Sequence, residues 1–238
     1  MHDLVKMRKD KRMNIIEQAL DRGAKNLSEY DSKRVLASYG IPVTKEKTVK
    51  TEAEAAAAAA EMGYPVALKG SGEAVSHKTE LDLISLDIKD EQRLLETFQG
   101  FKDRKDVAVD EFLIQQMVKG NRELMAGLKR DAQFGPCVMF GLGGVLAEIL
   151  DDVAIRVAPL SEFDAMDMMA DIRAHKILDE FRGKPAVDRD ALAGLLTGLG
   201  KLGLENESVA EVDINPIKLV YGKPVAVDAL IVLQRNHP

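Results

Sequence analysis

The segment from Val209 to Leu233 leaves the chain little choice of local structure. Glu211-Val212-Asp213-Ile214-Asn215-Pro216 alternates polar and apolar residues, and two apolar-rich runs, Val209 to Val220 and Pro224 to Leu233, flank Tyr221-Gly222-Lys223. Alternation with a period of two marks a strand with one buried face, and a short glycine-containing turn between two such runs makes an antiparallel hairpin. Glu211, Asp213 and Asn215 then share one face while Val212 and Ile214 turn into a core. Pairing across the turn in the simple register brings Asp228 close to Asn215 on that face. Carboxylates crowded on a sheet face repel unless something positive sits among them. Hard oxygen donors of this kind suit Mg²⁺, which keeps waters and the phosphates of its substrate as its other ligands. A solvated strand face with ordinary charges is the other reading of the same residues.

The rest of the chain supplies helices and further strands. Leu4, Val5, Met13, Ile15, Ile16, Ala19 and Leu20 recur at helical spacing before Gly23. Ser28 with Asp31 opens a second helix that stops at Gly40, and Thr51 with Glu54 opens a third through the alanine run 55–60 to Gly63. Tyr64 to Gly70 and the alternating Ile84, Leu86 and Ile88 read as strands, followed by a helix from Asp90 to Phe98. Further strands are expected over Phe112 to Val118, Glu123 to Lys129, Pro136 to Phe140, Val145 to Ile149 and Val153 to Ala158. Ser161 with Asp164 caps a helix expected to reach Phe181, and another runs from Asp188 to about Gly203. The fold class is therefore mixed α/β (α+β), with mostly antiparallel strands in the second half. The expected organisation is N-terminal helices over 1–40 that pack on the second subdomain, a small α/β subdomain over 41–110 and a larger one over 111–238.

Composition narrows the function classes. The chain has 238 residues, 46% of them hydrophobic and 30% charged, which is enough apolar material for a sizeable core and excludes disorder as the main state. Its formal net charge is −6 with Lys and Arg scattered, which disfavours a surface that tracks nucleic acid. No run approaches the eighteen or so apolar residues of a membrane span, and no apolar h-region follows the charged start, so neither a membrane nor export is expected. The single cysteine, Cys137, excludes an internal disulfide framework, fits a reducing, cytoplasmic setting and reads as a small core residue.

Other segments could carry chemistry. Lys69 ends an apolar strand and leads into Gly70-Ser71-Gly72, which could approach phosphates, although a lysine there is often only surface. Gly72 to Thr79 matches the phosphate-loop pattern except that His77 replaces the second glycine, and the strand expected after it, rather than a helix, excludes a phosphate-loop NTPase. His77 lies among small and polar residues in an expected loop. It is either an idle surface imidazole or a nucleophile toward phosphorus on a mobile segment. Gly141-Leu142-Gly143-Gly144 is not followed by a helix, so it fails the dinucleotide-binding context and leaves close packing or backbone approach to a nucleotide.

Taken together these residues resemble a family. Tyr39-Gly40-Ile41-Pro42, Gly63-Tyr64-Pro65-Val66 with Lys69, His77-Lys78, Arg122-Glu123, Phe134-Gly135-Pro136, Phe140 to Gly144, Arg156 to Leu160, and Glu211 to Pro216 with Asp228 are similar to the ATP-grasp β subunits of ADP-forming acyl-CoA synthetases, the acetate-CoA ligase (ADP-forming) group related to succinyl-CoA synthetase. The likeness covers about Leu27 to Leu233. It implies an ATP-grasp fold that holds ATP or ADP between two subdomains. Lys69 then resembles the phosphate-contacting lysine, the segment Gln115, Gln116, Met117 and Val118 the hinge whose backbone meets adenine, and Glu123 an acidic residue of the nucleotide pocket. Asn215 and Asp228, with Asp213 close by, match the Mg²⁺ ligands, and His77 matches a phosphoryl-relaying histidine. The implied reaction is ATP + carboxylate + CoA giving ADP + phosphate + acyl-CoA. The implied partner is a CoA-binding α subunit, in an α2β2 assembly, through which the small-molecule carboxylate and CoA enter. The sequence departs from the family at Gln116, where an acidic residue is usual, and at Thr79-Glu80-Leu81-Asp82-Leu83, where paired glycines are usual. A carboxylate-amine ligase on the same fold and a nucleotide sensor without transfer activity are the competing readings.

Overall fold

The computed structural model describes residues 15–71, 83–106, 109, 111–120, 122–144 and 152–234. It divides into two units, one formed by 1–43 with 119–238 and the other by 44–118.

The smaller unit is a four-stranded antiparallel sheet covered by two helices. Its strands are β1 (Glu46–Val49), β2 (Val66–Ser71), β3 (Ile84–Ile88) and β4 (Glu111–Gln116), in the order β1-β4-β2-β3. Helix α2 (Glu52–Met62) begins with the full reciprocal cap between Thr51 and Glu54, and helix α3 (Glu91–Lys102) is capped by Asp90. The alanine run has a packing reason: Ala55, Ala58 and Ala59 are buried against the sheet with Val66, Leu68, Ile114, Leu94 and Phe98. Phe98 lies against Phe112 at 4.4 Å between ring centres. In β3 the expected alternation is interrupted, since Leu86 is exposed, Asp87 takes a positive φ and the register against β2 shifts.

The larger unit is built on β5 (Glu123–Asp131), β6 (Gly135–Leu142), β7 (Val153–Val157), β8 (Val209–Val220), β9 (Lys223–Ala226) and β10 (Leu230–Leu233). All pair antiparallel, in the order β10-β8-β5-β6-β7 with β9 also on β8. Helices α1 (Glu29–Ser38), α4 (Glu162–Asp171) and α5 (Arg189–Glu205) contribute to its core, where Leu128, Val138, Phe140, Leu196, Leu199 and Ile214 are buried. Ser28, Ser161 and Asp188 accept the backbone N–H three residues on, as N-caps do. Ile16 and Ala19, from a helical stretch over 15–21, are buried in the same core.

Four expectations shift, and each shift has a non-local cause. The smaller unit begins at Thr44 rather than 41, because Ile41 is buried in the larger unit's core, Ala226 N–H donates to the Pro42 carbonyl and Val43 bridges Ala226. It ends at Val118 rather than 110, because β4 pairs with both β1 and β2. The helix opened by Ser161 stops at Asp171, not Phe181. The buried Asp152 carboxylate accepts the N–H groups of Arg173 and Ala174, at 2.7 and 2.8 Å, and Ile172 turns extended, before a short 3₁₀ turn at His175–Leu178. The strand expected from Pro224 to Leu233 is broken at 227–229 into β9 and β10. The strand expected over 145–149 lies outside the described residues.

Candidate functional site

The site lies at the break in the last strand. Strand β8 turns Val212 and Ile214 into the core and leaves Glu211, Asp213 and Asn215 on the other face. Its far edge pairs with β9 through Ile217↔Ala226 and with β10 through Asp213↔Leu230, and the two ladders keep one common register across the gap. Asp228 therefore stands opposite Asn215 although no regular strand runs there. Around the gap, Val227 N–H donates to the Pro216 carbonyl at 3.0 Å, and Ala229 N–H donates to Asp228 Oδ1 at 2.8 Å. Asp213, Asn215 and Asp228 are thus brought together as the sequence implied.

The electrostatics of this face call for a cation. Although Asp213 as a residue is exposed, loss of water around its carboxyl pushes its pKa up, and the charges of Asp228 and Glu211 push it further. A positive ion would offset the charge of both neighbouring carboxylates. Among the described residues, no three His, Cys, Asp or Glu side chains form a self-sufficient metal cluster. The donor set here is two carboxylates and an amide oxygen, which suits a hard ion that completes its shell with phosphate oxygens and water. Mg²⁺ fits these residues.

A second network joins the same face. Asn215 Oδ1 accepts the Gly144 N–H at 3.0 Å, which orients the amide. Gly144 has φ +63°, and a Cβ there would collide with the Glu123 carboxylate; a Cβ on Gly143 would collide with the Leu124 backbone. Gly143 N–H donates to the Glu123 carbonyl at 2.9 Å. Glu123 pairs across the sheet with Lys218, whose Nζ lies 3.3 Å from Glu123 Oε1. The glycine-rich run is thus folded against the start of β5 and connects Glu123 to Asn215. The glycine run is open in the sequence to close packing or backbone approach to a nucleotide, whereas Lys218 carries no local signal of a site residue. The pairing of Lys218 with Glu123 depends on a register that shifts between Leu124 and Ala126, which no local pattern reveals. Arg122, next to Glu123, is buried and donates to the carbonyls of Ile177, Asp179 and Pro185, fixing the chain after α4.

In the smaller unit, Lys69 lies inside β2 rather than at its end, and it is buried to 4% exposure, which overturns the surface reading. It shares a sheet face with Gln115 and Ser71, both buried, opposite the face on which Val66 and Leu68 meet the helices. Gln116 ends β4 opposite Val66, with its N–H donating to the Lys45 carbonyl at 2.9 Å, and Met117 and Val118 follow, half-buried, at the unit's end. His77 lies outside the described residues. Cys137 is half-buried on the outer face of β6, opposite Lys129 and Val157, rather than in the core. Burial, with the Asp131 charge, pushes its thiol pKa up, so it is a poor nucleophile.

Comparison with known proteins shows the family. Residues 18–233 match the family model for the ATP-grasp domain. The chain is 38% identical over 228 residues to the acetate–CoA ligase (ADP-forming) I subunit beta of Pyrococcus furiosus, covering 94% of this chain and 98% of that one. It is 36% identical to the acetate–CoA ligase (ADP-forming) I of Archaeoglobus fulgidus over 96% of this chain, which is 34% of that longer protein. Among solved structures, acetyl-coenzyme A synthetase 1 of Ca. Korarchaeum cryptofilum superposes with a TM-score of 0.84 and 37% identity, covering 94% of this chain and 100% of that one. That structure holds coenzyme A and Mg-AMPPCP, with a phosphohistidine segment pointing towards its nucleotide binding site.

Proposed function

Because the chain belongs to the ATP-grasp domain family, within the group of ADP-forming acyl-CoA synthetase β subunits, we propose that it is the nucleotide-binding, phosphoryl-transferring subunit of such a synthetase. The reaction is ATP + carboxylate + CoA giving ADP + phosphate + acyl-CoA, an acid–thiol ligation that also runs toward ATP. The observation that carries the reading is the common register of β9 and β10 on β8, which sets Asp228 opposite Asn215 on the face of Asp213. These residues would hold Mg²⁺, which when bound neutralises phosphate charge as the phosphoryl group departs. Gly144 N–H keeps the Asn215 amide oxygen in place for that task. Lys69, in the smaller unit, contacts the phosphates, and the backbone of Gln116, Met117 and Val118 meets the base. Glu123, held by Lys218, contributes to the nucleotide pocket. His77 accepts the phosphoryl group on a ring nitrogen and passes it on. Catalysis here is positioning and charge stabilisation rather than covalent work by the site's carboxylates.

The partner is a CoA-binding α subunit that supplies the carboxylate and CoA sites, in an α2β2 assembly in the cytoplasm. The Archaeoglobus relative is about three times as long as the part matched, which supports a partner of that kind. Among the described residues no helix is long and apolar enough to cross a membrane.

The test is intact mass after incubation with Mg-ATP, with and without the candidate α chain, beside a His77→Ala variant. An acid-labile gain of one phosphate that the variant lacks is expected. No gain with the α chain present, alongside a raised melting temperature in Mg-ATP, would replace this reading with that of a nucleotide sensor.

A further inference from the structure

Helix α1 buries a polar stripe against the larger unit. Glu29, Ser32 and Lys33 are exposed to 4%, 0% and 1%. Lys33 Nζ lies 2.8 Å from Glu29 Oε1 and donates to the Val227 carbonyl at 2.9 Å. Burying an ion pair is costly, and apolar residues of the same volume commonly do as well or better for stability alone. The stripe must therefore be explained by what it holds.

What it holds is the broken strand. Ile231 N–H donates to Ser32 Oγ at 3.2 Å, Leu27 N–H to the Ile231 carbonyl at 2.9 Å, and Leu233 N–H to the Lys25 carbonyl at 2.7 Å. Residues 25–33 thus grip the segment 227–233 on both sides of Asp228. The grip at Val227 is the one made by a charged side chain, one residue before that carboxylate. Val227 N–H donates to the Pro216 carbonyl, but Pro216 has no N–H to return, and the Val227 carbonyl accepts from the Lys33 ammonium group.

We propose that Lys33 is a positioning residue of the metal–nucleotide site: by holding the Val227 carbonyl it fixes the break between β9 and β10 and so aims Asp228 at the face of Asp213 and Asn215. The inference rests on the reading of Asp228 as a Mg²⁺ ligand. Glu29 pairs with Lys33 and directs it, and Ser32 anchors the far side of the break. Lys33 itself touches neither metal nor nucleotide.

The test uses the full-length chain and Mn²⁺ with ADP as the probe, reading free Mn²⁺ by electron paramagnetic resonance and stability by melting temperature. Four variants are compared: Lys33→Met, the pair Glu29→Leu with Lys33→Met, Asp228→Asn, and Leu36→Ala, a buried residue of the same helix. The double variant removes both charges together and so avoids leaving one buried ion unpaired. The expected result is a Mn²⁺ affinity about tenfold lower in Lys33→Met and in the double variant, with Leu36→Ala melting lower than wild type yet binding within about twofold of it; a tenfold loss corresponds to about 1.4 kcal/mol. A double variant that melts at or above wild type and binds Mn²⁺ as tightly overturns the proposal. If Asp228→Asn weakens binding while the double variant does not, this inference alone fails. If Asp228→Asn leaves binding unchanged, the metal reading of the hairpin fails and takes the inference with it.

Discussion

The two units reach the same sheet-and-helix architecture but handle charge in opposite ways. In the smaller unit, β2 runs unbroken through the middle of its sheet, every residue is buried, and the single charged side chain on it, Lys69, is buried too. In the larger unit, the final strand is interrupted, and the interruption is where Asp228 joins Asp213 and Asn215. A cation is carried on a continuous strand, whereas the anionic oxygen donors gather beside a gap in one. The physical reason for their convergence is geometric. One strand offers same-face side chains only at every second residue, and a residue directly opposite on the neighbouring strand brings a third donor onto that face.

The contrast predicts where substitutions cost function and where they cost stability. The largest effect is expected for Asp228→Asn, which should lower phosphoryl transfer by about 10²–10³-fold without lowering the melting temperature, because a metal ligand is lost while repulsion is relieved. Lys69→Met should follow, with transfer reduced about 10²-fold, read in the same phosphoenzyme assay. If Lys69→Met instead left transfer intact, the buried cation would be a structural feature of the small sheet and the comparison would break.

Asp213→Asn sharpens the contrast through stability. A carboxyl whose pKa is raised in the fold binds its proton more tightly folded than unfolded, so the fold loses stability as pH climbs from the ordinary carboxylate range through the raised value. At neutral pH and without divalent metal, Asp213→Asn is therefore expected to melt above wild type, and added Mg²⁺ with nucleotide should narrow or reverse that gap. The smallest effect is assigned to Thr51→Ala, at the start of α2. Loss of its cap on α2 should cost about 1 kcal/mol by denaturant titration, with transfer unchanged.

The parts of the molecule that were legible in the sequence are those fixed by local chemistry. Ser28, Thr51, Asp90, Ser161 and Asp188 each announce a helix start, and each caps one. The Asp213 and Asn215 face was legible because period two and a short turn suffice to define it, and Asp228 followed from the register. What was not legible depends on distant partners. The helix after Ser161 ends where Asp152, twenty-one residues before Arg173, captures two N–H groups. The apolar run from Pro224 to Leu233 carries no sign of its break, which is gripped by residues 25–33 some two hundred positions away. Lys218 entered the site only through a shifted register, and the contact of the glycine run with Glu123 and Asn215 only through the fold. The β4 strand read as part of the second half because its partners, β1 and β2, lie far upstream of it in sequence.

The most direct test of the central claim is a crystal structure of the chain grown with Mn²⁺ and ADP, with the metal located by its anomalous scattering. A peak within coordination distance of Asn215 and Asp228, shared with nucleotide phosphate oxygens, is the predicted result. A Mn²⁺ peak on the phosphates with the broken strand left uncoordinated, or a nucleotide bound away from this face, would contradict it.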